Sequence, residues 1–193
     1  KLELAKVVGG LNKPLAMAQA KGDSRLFVLE QEGLIKVLEK GAITDVILDL
    51  TQRIVPLNKD YDERGLLGLA FHPNFMQNRK FYVAFSVPID KDSLKTYPNY
   101  SHINVIEEFI APKNKTEKVN PNSGRRITSL PWPHFNHNGH WIGFGPDNKL
   151  YVSTGDGGYK TEWTPETIAD SYNSQKLDNY FGKFCESMLT PRT

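Results

Sequence analysis

The sequence predicts an all-β protein, and two observations narrow it to an incomplete β-propeller of about two to three blades, with a sandwich of similar hairpins as the competing fold. The first is the texture of the chain. Apolar runs of about 5–7 residues, rich in β-branched and aromatic side chains, alternate with Gly, Pro, Asn and Asp turns. The second is a weak internal repeat. Three times an apolar strand leads through a polar turn into a strand that opens with Leu or Phe, then an aromatic residue, then Val.

Taken in order, the strand runs are Arg25–Glu30, Leu34–Leu38, Leu66–Phe71, Lys80–Ser86, His102–Ile110 and Lys149–Thr154. The repeat adds a strand around Leu15–Ala18 and another at Trp141–Phe144. Its aromatic anchors Phe27, Tyr82 and Tyr151 lie 55 and 69 residues apart, room for four short strands per unit with variable outer loops. No segment carries a long, capped 3.6-residue period, although Glu162–Asp170, interrupted by Pro165, suits a helical turn. Two blades and part of a third cannot close a ring, so self-association through an exposed sheet edge is expected.

Composition narrows the function classes. Of the 193 residues, 39% are hydrophobic, enough to bury a core, and the net charge is only +2. A basic stripe with interleaved aromatics is missing, which argues against nucleic acid. No run reaches the roughly 18–20 apolar residues of a membrane span. The lone Cys185 excludes an internal disulfide framework and a multi-cysteine metal site. His134, His137 and His140 form an H-x-x-H-x-x-H run, but on a strand His137 would point away from the other two, so zinc is a minor alternative and no metal site is expected.

Two segments suggest chemistry: Glu63-Arg-Gly-Leu-Leu-Gly-Leu-Ala-Phe-His-Pro-Asn-Phe75, and Asn136-His-Asn-Gly139 continuing through Gly145-Pro-Asp147 to Gly155-Asp-Gly-Gly158. Both resemble the signature segments of the glucose/sorbosone dehydrogenase family, in the same order and spacing, over residues 5–183. The resemblance implies a six-bladed propeller that binds pyrroloquinoline quinone in its central cavity. It also implies a sugar or related alcohol as substrate, a separate electron acceptor, and a periplasmic or secreted location. His137 falls on the catalytic histidine, a general base that takes the proton of the anomeric hydroxyl as hydride passes to the quinone. Asn136 and Asn138 are expected to orient that imidazole or touch substrate.

Glu63 and Arg64 fall at cofactor contacts. Well-studied sugar dehydrogenases carry glutamine where this chain has Glu63, and a carboxylate repels a tricarboxylate cofactor unless it is protonated or paired, with Arg64 as one candidate partner. Arg64 could instead meet a quinone carboxylate or form a structural ion pair. Asp156 reads as a turn residue that ties backbone N–H groups. Calcium belongs to later blades of a full-length protein.

Residues 1–183 form the propeller part, and 184–193 depart from the family's pattern. One base inserted before the codon of Phe184 converts Phe184-Cys-Glu-Ser-Met-Leu into a family-like Ile-Leu-Arg-Ile-Asp-Val strand, so this tail is read as frameshifted. The expected function is a quinone-dependent sugar dehydrogenase. The alternatives are a non-catalytic propeller binding module and a truncated inactive product. The sequons Asn99-Tyr-Ser101 and Asn114-Lys-Thr116 sit in expected loops.

Overall fold

In the computed structural model, which describes residues 2–158 and 173–187, the strand runs assemble into three separate antiparallel sheets. The first contains β1 (Pro14–Ala18), β2 (Leu26–Glu30), β3 (Leu34–Glu39) and β4 (Ala42–Asp49), paired in chain order. The second contains β5 (Leu66–Phe71), β6 (Lys80–Val87), β7 (His102–Ile110) and β8 (Arg125–Trp132), also in chain order. The third contains β9 (Gly139–Phe144), β10 (Leu150–Thr154) and β11 (Phe184–Ser187). None closes into a barrel, and this is the incomplete propeller that the repeat predicts.

Strand alternation decides how the sheets stack. On β6, Phe81, Val83 and Phe85 project into one apolar cluster with Phe27, Leu29 and Leu50, which fills the space between the first and second sheets. Tyr82 and Ala84, on the opposite face, join Ala70, Ile106, Ile142, Leu150 and Val152 between the second and third sheets. All five of these β6 residues are buried. Strand β6 therefore has no solvent face, as a blade with neighbours on both sides requires.

Close approach of the inner strands β5 and β9 needs Gly68. A Cβ there would stand 2.5 Å from the carbonyl oxygen of His140, well inside contact distance. The outer strands are tied by buried carboxylates. Glu107 on β7 accepts two hydrogen bonds of 2.8 Å from the Arg53 guanidinium, which follows β4, and one of 3.0 Å from Arg126 on β8. Glu108 accepts from the Tyr82 hydroxyl at 2.7 Å and from Arg125 at 3.1 Å.

Those pairs explain why β8, which opens with two arginines, is absent from the sequence-predicted strands. Two short helices, α1 (Phe75–Asn78) and α2 (Lys91–Thr96), also go unpredicted; the second is capped by Asp90, whose carboxylate accepts from the N–H groups of Asp92 and Ser93. The helical turn expected at Glu162–Asp170 lies outside the described residues. Phe184–Ser187 was expected to break the strand pattern, yet it pairs with Leu150–Ser153 as β11. Ladder bonds are made by backbone, so a change of side-chain pattern does not by itself forbid pairing. Residues 188–193 lie outside the described residues.

Gly68→Ala should destabilise the chain by about 1–3 kcal/mol, because the obstructing atom is backbone and cannot rotate aside. A urea titration checks this, and an unchanged midpoint would mean that β5 and β9 lie further apart.

Candidate functional site

Three chain segments meet at one end of the inner strands. Tyr61–Gly65 leads into β5, Pro133–Asn138 leads into β9, and Gly155–Gly158 leaves β10 beside it. Because β9 and β10 are antiparallel, the start of one and the end of the other share an end of the sheet, which brings two of the sequence motifs together.

His137 holds a left-handed backbone (φ 53°), uncommon for a residue with a Cβ. Its neighbours fix it there. The N–H of His137 donates to a carboxylate oxygen of Glu63, and Gly155 N–H donates to Asn138 O at 3.0 Å. Gly155 permits this approach, since a Cβ on it would lie only 1.7 Å from His137 O. The imidazole is 41% exposed, and its Nδ1 lies 2.8 Å from Asp156 Oδ1. A neutral imidazole that donates its Nδ1–H to this carboxylate presents its lone pair on Nε2. Asp156 also accepts from Gly158 N–H at 3.1 Å, the turn-tying role expected of it. Pairing with His137 is the part that sequence reasoning missed, because it joins positions 19 residues apart.

Glu63 and Arg64 part company. The Glu63 carboxylate accepts from the Tyr61 hydroxyl as well as from His137 N–H, and this bond raises the Tyr61 pKa above its ordinary value. Arg64 is buried and does not pair with Glu63. Its Nε lies 2.9 Å from Asp62 Oδ1, and its Nη2 reaches Asp62 Oδ2 at 2.5 Å and Pro56 O at 3.1 Å. Burial alone would raise the Asp62 pKa, but the Arg64 guanidinium and two backbone N–H bonds hold it below the usual carboxylate range. Breaking a buried pair of this kind costs about 3–5 kcal/mol, since the remaining charge is stranded.

Asn136 and Asn138 are both buried and neither reaches the His137 ring. Asn136 Oδ1 lies 2.6 Å from His134 Nδ1. Asn138 Oδ1 accepts from Asn104 Nδ2 at 2.8 Å and lies 2.8 Å from His102 Nε2, while its Nδ2 donates to Phe135 O at 2.9 Å. The Asn-His-Asn run is thus divided: the histidine faces the rim, and the asparagines anchor the loop from beneath. His140 is buried too, with Nδ1 2.7 Å from Asn138 O and its ring edge-on to Trp132. The three histidines of the H-x-x-H-x-x-H run are thereby separately engaged.

The model of the family described as Glucose / Sorbosone dehydrogenase matches residues 11–186. The chain belongs to that family. Hedgehog-interacting protein of Homo sapiens is 34% identical over 157 residues, covering 80% of this chain and 22% of that protein. Quinoprotein glucose dehydrogenase B of Acinetobacter calcoaceticus is 26% identical over 152 residues, 79% of this chain and 30% of the relative. Among solved structures, the quinone-bound aldose sugar dehydrogenase of Streptomyces coelicolor superposes with a TM-score of 0.68 at 24% identity, over 95% of this chain and 46% of that one. This likeness shows the fold. The chain thus spans less than half the length of each of these relatives.

Two buried imidazoles supply a pH test. Burial lowers the pKa of His102 to about 3 and of His140 to about 4, from an ordinary 6.5. Among the described residues, His102 Nδ1 and His140 Nε2 have no hydrogen-bond partner, so neither ring gains a compensating bond when it is charged. Between pH 6.5 and about 4 the unfolded chain binds more protons than the folded one, so stability falls as pH falls through that window. The melting temperature should drop accordingly. His102→Gln, which keeps a donor for Asn138 Oδ1 but cannot titrate, should flatten the slope; an unchanged slope would place the acid sensitivity elsewhere.

Proposed function

We propose that this chain supplies a protein-binding rim rather than a quinone-dependent active site, with Tyr61, Glu63, Phe135, His137 and Asp156 meeting a basic surface on a protein partner. One observation carries the reading: Arg64 is turned inward onto Asp62, while the rim keeps the carboxylates of Glu63 and Asp156. A tricarboxylate cofactor arriving there meets two like charges and no guanidinium from this chain. The residues present do not fit the quinone. Tyr61, 59% exposed and edge-on to Phe135 at 6.2 Å, adds the aromatic area that protein interfaces favour.

The name of the Hedgehog-interacting relative supports a protein ligand. A secreted or periplasmic location accompanies the reading. No helix among the described residues is long and apolar enough to cross a membrane.

A second reading, the sugar dehydrogenase, is favoured by the 2.8 Å contact between His137 and Asp156. In it, Nε2 of His137 takes the proton of a sugar or related alcohol hydroxyl, a contribution of about 10²–10⁴ in rate. This chain supplies proton transfer alone; the hydride and electron acceptors lie outside it.

Surface plasmon resonance with a Hedgehog signalling domain as probe, run beside dye reduction with glucose, quinone and calcium, separates the two. Saturable binding weakened about tenfold by Glu63→Lys, without dye reduction, is expected. Dye reduction that disappears in a folded His137→Ala variant would overturn the proposal in favour of the dehydrogenase.

A further inference from the structure

The end of the blades opposite the rim holds a cavity that the proposed function does not use. The rim residues precede β5, whereas α1 and its cap Arg79 follow it, so the two lie at opposite ends of that strand. The cavity has a volume of about 160 Å³, and its walls come from the β1–β2 turn, β4, α1 and the segment after β7. Its floor is apolar: Ile47, Phe75 and Ala111 are buried, and Met76 stands at the lip, 53% exposed. The segment after β7 is pinned at two places. Ala111 N–H donates to Arg79 O and Arg79 Nη1 donates to Ala111 O, each at 2.8 Å, and Val119 N–H donates to Ile47 O at 2.8 Å. This double attachment keeps the cavity from closing.

The mouth is cationic. Asp23 and Arg25 also line the cavity but neutralise each other, with Arg25 Nη2 2.5 Å from Asp23 Oδ2. The bond from Arg25 holds the Asp23 carboxyl below the usual carboxylate range, against the effect of burial, and the charge of Lys115 adds to it. Arg79, Lys113 and Lys115 then stand against the single carboxylate of Glu117. None of these three cations forms an ion pair with another of the described residues. Arg79 also holds a left-handed backbone (φ 59°) at the cap of α1, a place that suits glycine and is disfavoured for a side chain with a Cβ. Among the described residues its guanidinium bonds only through Nη1, so the strained position leaves a fork of donors for a ligand.

We propose that this cavity binds a small aromatic carboxylate, with the ring on the floor against Ile47 and Phe75 and the carboxylate on Arg79, Lys113 and Lys115. Size and chemistry agree. An apolar cavity of about 150 Å³ holds one benzene ring. A guanidinium matches a carboxylate with two parallel hydrogen bonds. Inorganic phosphate would satisfy the cations but leave the apolar floor facing water.

Fluorine NMR of fluorobenzoate with the 193-residue chain should show saturable binding. Benzoate should compete, whereas benzamide and inorganic phosphate at the same concentration should not. Arg79→Gly should weaken binding at least about tenfold with an unchanged circular-dichroism spectrum, because glycine suits the left-handed cap. Lys113→Glu, at an exposed position, should also weaken it, and Glu117→Gln should tighten it. Absence of binding, competition by benzamide equal to that by benzoate, or displacement by phosphate would overturn the proposal. So would an affinity indifferent to both Arg79→Gly and Lys113→Glu. The cavity is separate from the rim, so none of these outcomes bears on the protein-binding reading.

Discussion

Strand β6 sends Phe81, Val83 and Phe85 to one side and Tyr82 and Ala84 to the other, and every one of them is buried. A sheet that is apolar on both faces cannot stand at the surface. It needs a layer on each side, and at about 25 cal/mol for each Å² buried, the two layers give the stacking its driving force. The first and third sheets supply those layers. Everything else follows from that demand: the inner strands draw close enough to require glycine at position 68, and the segments that enter them converge at one end.

The rim is built from what this convergence leaves over. Beneath it lies a buried polar layer in which Asn138 serves as the hub for His102, Asn104 and the carbonyl of Phe135. Asp62 and Arg64 neutralise each other nearby. Above that layer, His137 keeps its left-handed backbone because Glu63, Asp156 and the passage of Gly155 hold it from three sides. A strained residue so firmly held is a common feature of sites that bind or react. The groups that hold it are acidic, and this sets what can approach.

The sequence by itself determined the local structure and the family. The aromatic and β-branched run Phe81 to Phe85 reads as a buried strand from its residue types and flanking turns, and Leu66–Phe71 and His102–Ile110 coincide with observed strands to the residue. The motifs around Glu63 and His137 marked the right loops. Pairing across the chain was beyond its reach. Arg64 had a pair with Glu63, a quinone carboxylate and a structural ion pair open to it, and the structure gives it an ion pair with Asp62; Asn136 and Asn138 face the interior while His137 alone of that run meets solvent. β8 was hidden because it opens with Arg125 and Arg126, which stay exposed in the fold and are held there by Glu108 and Glu107 on the neighbouring strand. Side-chain direction at a loop depends on φ and on partners far along the chain, and the left-handed turn at His137 reverses the alternation that a strand would give. Only the folded arrangement, which brings residues 63, 137 and 156 together, decided which groups form the rim.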